Sequence, residues 1–220
     1  MAISLIQHTS TDAGSPVGLN TTLAYGSNNT AHSLLIAVVR LGKASETASI
    51  TDSQGNTWQI AQNLNDTTGV NTYTILYAMD AKAGANTVQL FWNVNGGVAV
   101  RWAIAEYSGA ATTLALDQHT SAAGSSTSAA SGSVTPTTDN QLIVGLQGCS
   151  NGRGFTQTAG LGMEEQQPAG ANAQKVLFVD VIQTTATAIN NTATLSTSDT
   201  WGACIATFKA GAAAAPGSPA

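Results

Sequence analysis

The chain has 220 residues, 9% of them charged, and a formal net charge of −5. Soluble globular domains carry about 25% charged residues, so this chain must hide its apolar segments or use them in contacts with partners. Its four lysines and three arginines do not cluster, which argues against phosphate-neutralising contact with nucleic acid and against docking on an acidic membrane surface. No apolar run approaches the roughly 18 residues of a membrane span. The opening "MAISLIQHTSTD" lacks the basic and apolar regions of a secretory signal. Two cysteines, Cys149 and Cys204, are too few for a disulfide scaffold or a structural zinc site, and no cofactor is expected.

In chain order, the first predicted strand carries Gln7-His8-Thr9-Ser10, and the same tetrapeptide returns as Gln118-His119-Thr120-Ser121. Further matches follow in the same order. "SLLIAVVR" (33–40) aligns with "QLIVGLQG" (141–148), and "YTILYAMD" (73–80) with "QKVLFVDV" (174–181). "NTVQL" (86–90) aligns with "NTATL" (191–195), and "IAEYSGA" (104–110) with "IATFKAG" (205–211). The offset falls from 111 residues to 101, so the second copy has lost loop residues. Ordered matches of this kind point to an internal duplication.

Each copy alternates with period two, the mark of a half-buried strand. Tyr73, Ile75, Tyr77 and Met79 share one face; so do Val88, Leu90, Trp92 and Val94. Turn signals such as "DSQGN", "KAGAN", "NVNGG" and "SNGRG" recur at short intervals, and no segment carries a helical stripe. The expected fold is all-β: two related antiparallel β-sandwich units, jelly-roll or Ig-like, with about eight strands each. The first spans residues 1–110 and the second 111–211; residues 212–220 form an Ala/Pro/Gly tail.

The last strand of each copy has a bulky face and a smooth one. Val98, Val100, Trp102 and Ile104 should build the first core, and Trp201, Ala203 and Ile205 the second. Ala99, Arg101, Ala103 and Ala105 line the smooth face of the first; Gly202, Cys204 and Ala206 line that of the second. Side chains this small let another sheet approach closely. Ala99, Ala103, Ala105, Gly202 and Ala206 are therefore the expected contact face, between the copies or between subunits.

Residues with chemical potential have plainer readings beside the functional ones. Asp117, His119 and Ser121 share a strand face, but the first copy has Ile6 where the second has Asp117, and no nucleophile turn is present. His8, His32 and His119 have no zinc-like spacing. In "ITDSQGNTWQI" the alternation of Asp52, Gln54 and Asn56 suggests calcium, with Glu46 or Asp66 assisting; a hairpin capped by Asp52, with Gly55 at positive φ, is the simpler expectation. Glu106 should bond main-chain N–H groups or a hydroxyl at a sandwich rim, and Glu164 and Glu165 should face water. The four tryptophans are expected in the cores, leaving Tyr25, Phe91 and Tyr107 as the aromatics to stack on a sugar. Cys149 and Cys204 are expected as two buried free thiols, with a bridge across neighbouring strands as the alternative.

The succession "ITDSQGNTW", "YAMDAKAGANTVQL", "AEYSG" and "DNQLIVGL" resembles a loosely defined group of bacterial and phage-associated surface β-sandwich proteins, over about residues 34–208. In that group a DSxGN turn, an AGxNTV turn and an EYSG strand end follow in this order. The resemblance implies a surface-exposed, secreted or virion-borne protein and supplies no catalytic residues. The expectation is thus a non-enzymatic structural protein of the extracellular space, cell surface or virion: a coat, decoration or fibre-like part of a homo-oligomer or larger assembly. A carbohydrate-binding or adhesion module, with glycans as partners, is the alternative.

Overall fold

The computed structural model describes residues 2–16, 18–93, 98–157, 163–166 and 176–212. The expectations for Val94, for the side chains of Glu164 and Glu165, and for the tail beyond Ala212 lie outside the described residues. The described chain is all strand and loop. The first eight strands are β1 (Ser4–Gly14), β2 (Asn20–Ala24), β3 (Leu34–Leu41), β4 (Ser49–Asp52), β5 (Trp58–Asp66), β6 (Asn71–Ala78), β7 (Thr87–Phe91) and β8 (Val100–Ser108). The remaining six are β9 (Leu116–Val134), β10 (Gln141–Cys149), β11 (Phe155–Gln157), β12 (Met163–Gln166), β13 (Val176–Gln183) and β14 (Ile189–Phe208).

Strands β1-β8-β3-β6-β5 form one antiparallel sheet and β2-β7-β4 a smaller one. A core of Leu35, Val39, Leu41, Leu76, Val88, Leu90, Val100, Trp102 and Ile104 fills the space between them. The second unit repeats this order as β9-β14-β10-β13-β12. Its outer layer comes from the far halves of two long strands. Ile189–Leu195 of β14 pairs with the end of β9 and with β11, whereas Trp201–Phe208 pairs with β10 and the start of β9. A register shift between Thr194 and Asp199 lets β14 pass from one layer to the other. In the first unit the corresponding strands are separate: β1 ends at Gly14 and β2 begins at Asn20, and β7 ends at Phe91 and β8 begins at Val100.

The pairing registers match as well. His8 stands opposite Ala105 and Ser10 opposite Ala103; His119 stands opposite Ala206 and Ser121 opposite Cys204. Each QHTS is thus the strand that flanks the last strand of its own unit.

The two five-stranded layers pack face to face. Ile36, Val38, Ile75 and Tyr77 of the first meet Leu142, Val144, Phe178 and Phe208 of the second in one core. Ala103, Ala105, Cys204 and Ala206 belong to that core, so both smooth faces lie at the seam between the units. Ala99 is only half-buried. The large residues of β6, β13 and β14 fill the depth that the alanines leave: the rings of Tyr77 and Phe208 stand 5.3 Å apart, tilted by 59°. Because β3 and β6 are covered on both sides, every residue in them is buried.

One expected hairpin is a crossover instead. Asp52 ends β4, which pairs with β7 in the small sheet, whereas Trp58 begins β5, which pairs with β6 in the large one. The turn chemistry is as expected, with Gly55 at φ +65°. Turn residues fix the reversal, but pairing partners are set by which layer buries each strand.

A Cβ placed on Gly202 would lie 2.2 Å from a ring carbon of Tyr73. Gly202→Ala should therefore destabilise the fold by about 1–3 kcal/mol through overpacking, read as a lower urea midpoint. An unchanged midpoint would mean that the seam is not closely packed at this position.

Candidate functional site

Glu106 organises the rim of the first unit. It follows the last core residues of β8 and is fully buried. Its Oε2 accepts from Gln7 Nε2 at 2.6 Å and Asn29 Nδ2 at 2.8 Å. Its Oε1 accepts from the Thr30 main-chain N–H at 2.6 Å and from Ser33 Oγ at 2.9 Å. Gln7 extends the network by accepting the Ser27 N–H at 2.9 Å. Both carboxylate oxygens are saturated by donors that pin the β2–β3 loop to β1 and β8, and the site is a structural clasp. In the second unit Thr207 takes this place, accepting the Gln118 N–H at 3.1 Å.

Asp117, His119 and Ser121 do not form a relay. The Asp117 carboxylate accepts the Thr137 N–H and hydroxyl, each at 2.7 Å, and the Gln141 amide at 2.6 Å. His119 Nδ1 lies 2.5 Å from Gln62 Oε1, while Gln62 Nε2 donates to Ser121 Oγ at 2.7 Å. A glutamine from β5 of the first unit therefore ties down both residues of the second QHTS. His32 lies elsewhere, 2.6 Å from Asp80 on the surface, and His8 stands in the field of Asp180. Among the described residues no group of three His, Cys, Asp or Glu side chains could hold a metal ion.

The Asp52 turn is likewise closed on itself. Asp52 accepts from the Gln54 and Asn56 main chain and from the side chains of Asn56, Trp58 and Asn86. Partial burial pushes its carboxyl up, but these hydrogen bonds prevail and hold it below the usual value. Of the helpers proposed for calcium, Asp66 accepts the Thr68 and Gly69 N–H groups, and Glu46 is buried with its own N–H on Thr72 Oγ1.

Two of the three aromatics nominated for sugar stacking are enclosed, which corrects that expectation. Tyr25 is buried and its hydroxyl donates to the Ala105 carbonyl at 3.2 Å. Tyr107 is buried in the seam and its hydroxyl donates to Asp180 Oδ2 at 2.6 Å. Tyr107 lies on a strand face covered by the second unit, which the alternation pattern does not reveal, and Tyr25, just past the end of β2, turns into the core between the two sheets of the first unit. Phe91, half-buried at the end of β7, is the one of the three that reaches solvent. Trp92, Trp102 and Trp201 lie in the cores, and Trp58 packs at the margin of one. Cys149 and Cys204 lie in different cores on opposite faces of one sheet and form no disulfide with each other. Burial pushes the Cys204 thiol well up.

No protein family, no curated protein and no solved structure matches this chain.

The contacts that sequence reasoning missed all cross between units: Gln62 to His119 and Ser121, and Tyr107 to Asp180. Asp180 is held above the usual carboxylate value by burial, opposed by the Tyr107 hydroxyl and by His8. The one available signal was an acid in the apolar run "VLFVDVI", since such a residue needs a donor.

Two substitutions probe these roles. Glu106→Gln turns one acceptor oxygen into a donor that faces two existing donors, and should cost about 2–3 kcal/mol of stability; a loss too small to measure would mean the clasp is not holding the rim. For Asp117, burial acts to raise the pKa, but Thr137, Gln141 and Lys209 bring it to about 2. The folded value lies below the unfolded one, so its stabilising contribution is present above about pH 4 and is lost as pH falls toward about 2. Asp117→Asn should accordingly flatten the fall in unfolding free energy between about pH 5 and pH 2. A slope identical to that of the parent chain would contradict the assignment.

Proposed function

We propose that this protein is a non-enzymatic structural protein that assembles through its sheet edges, as a coat, decoration or fibre-like component of an extracellular assembly or phage particle. The observation that carries the reading is the open edge at β1. This strand terminates the first sheet, and among the described residues no strand pairs with its outer backbone. Leu5 and Ile6 on it are 36% and 39% exposed. Natural edge strands are usually blunted by lysine, proline or inward charge. In β1 the one charged side chain, Asp12, is paired with Arg101 at 3.0 Å. An unprotected edge of this length is a template for another chain.

Two further features support the reading. In the first unit β1 pairs with β8, β2 with β7 and β3 with β6, a nested winding that we read as a jelly roll, an architecture used by viral capsid and lectin domains. The shared strand order and QHTS registers are what a duplicated unit would leave, and a tandem pair suits a building block that presents similar edges at both sides. The resemblance to bacterial and phage-associated surface proteins points the same way.

Light scattering over a wide concentration range is the direct test. The purified chain should exceed the 22.2 kDa of one copy, and Ile6→Lys should return it to that mass without lowering its melting temperature. A strict monomer at high concentration, with no filament or particle in micrographs, would overturn the proposal.

A further inference from the structure

Arg40 and Arg101 are cross-strand partners on β3 and β8. By the alternation of strand faces, both lie on the side that carries Ile36, Val38, Ala103 and Ala105 toward the second unit. Arg40 is fully buried and Arg101 is 6% exposed. Two adjacent cations in a protein interior repel each other and lose hydration, so such groups are normally paired and hydrogen-bonded. Here the pairing is incomplete. Asp12 Oδ2 lies 3.0 Å from Arg101 Nη2, whereas Arg40 Nη2 donates to the neutral Oδ1 of Asn71. The Nε and Nη1 atoms of both guanidiniums are buried with no acceptor in good hydrogen-bond geometry among the described residues; the neutral Tyr73 hydroxyl is the oxygen beside Arg40.

The surroundings add little negative charge. The Tyr73 phenol stands beside Arg40, and burial together with neighbouring Arg101 lowers the Arg40 pKa, against the effect of Tyr73. Asp66 faces Tyr73 from the end of β5, with Oδ1 on the Thr68 and Gly69 N–H groups. On the facing sheet the positions equivalent to Arg40 and Arg101 are Gly148 and Gly202, themselves cross-strand partners, and they bring no carboxylate.

We propose that the Arg40–Arg101 pair binds one small inorganic anion of the chloride class at the seam between the two units. A monatomic anion supplies the counter-charge that Asp12 alone leaves short, and it accepts from both guanidiniums without needing a fixed geometry. Bound there, the ion acts as a clamp between β3 and β8 under the second unit.

The test uses the whole chain at fixed pH and ionic strength, with gluconate progressively replaced by chloride. The melting temperature should rise by about 3–5 °C per tenfold increase in chloride above the dissociation constant, and Arg40→Met should abolish that dependence. Crystals grown in bromide should give an anomalous peak between the two guanidiniums, a readout that holds even if Arg40→Met does not fold. A melting temperature indifferent to chloride with no bromide peak would mean that only solvent bridges the arginines, and the proposal fails. It fails equally if Arg40→Met keeps the parental chloride slope, since the ion would then act elsewhere.

Discussion

The close approach of the two large sheets, made possible by the small side chains of β8 and β14, governs the rest of the molecule. Ala103 and Ala105 on one side, with Gly202, Cys204 and Ala206 on the other, leave depth for Tyr73, Tyr77, Phe178 and Phe208. Sheets pack about 10 Å apart when their inner faces interdigitate. A bulky residue at any of these positions would force the layers apart and open the core at its centre. The same packing turns β3 and β6 into strands buried on both faces, which is why β3 reads as a nearly continuous apolar run.

Burial of that depth sets strict terms for every polar group it encloses. Glu106 meets them fully, with four donors for its two oxygens. Asp180 draws on the Tyr107 phenol from the other unit, and burial still shifts its carboxyl upward against that bond and His8. Arg40 and Arg101 meet them in part. Glu106 is satisfied within its own unit, Asp180 relies on Tyr107 across the seam, and the two arginines have partners only on their own side, Asn71 and Asp12.

The chain also divides its edges unevenly. Tertiary contacts secure the second QHTS through Gln62, whereas β1 keeps an exposed apolar stretch at Leu5 and Ile6. Both β1 and β9 keep an outer backbone without a paired strand among the described residues, and β1 differs in its exposed apolar side chains. A chain with so little charge has few other means of keeping such an edge apart from its copies.

Period-two alternation along the chain determined that this protein is all-β, and the ordered matches from QHTS onward determined which strands correspond. Trp102 and Ile104 were legible as core because bulk alternates with alanine along β8. Burial on the second face was not legible, since alternation reports one buried side and is silent when a second layer covers the other; for that reason Tyr107 looked available and is enclosed, while Tyr25, in a loop beyond β2, carries no alternation signal at all. Nor could local signals show that the Asp52 turn crosses between sheets, because turn chemistry is the same in a hairpin and in a crossover. Tertiary structure alone decided the contacts of Gln62 with His119 and of Tyr107 with Asp180, and the juxtaposition of Arg40 with Arg101. These join residues dozens of positions apart, and their distance is set by how sheets stack rather than by any short-range preference of the chain.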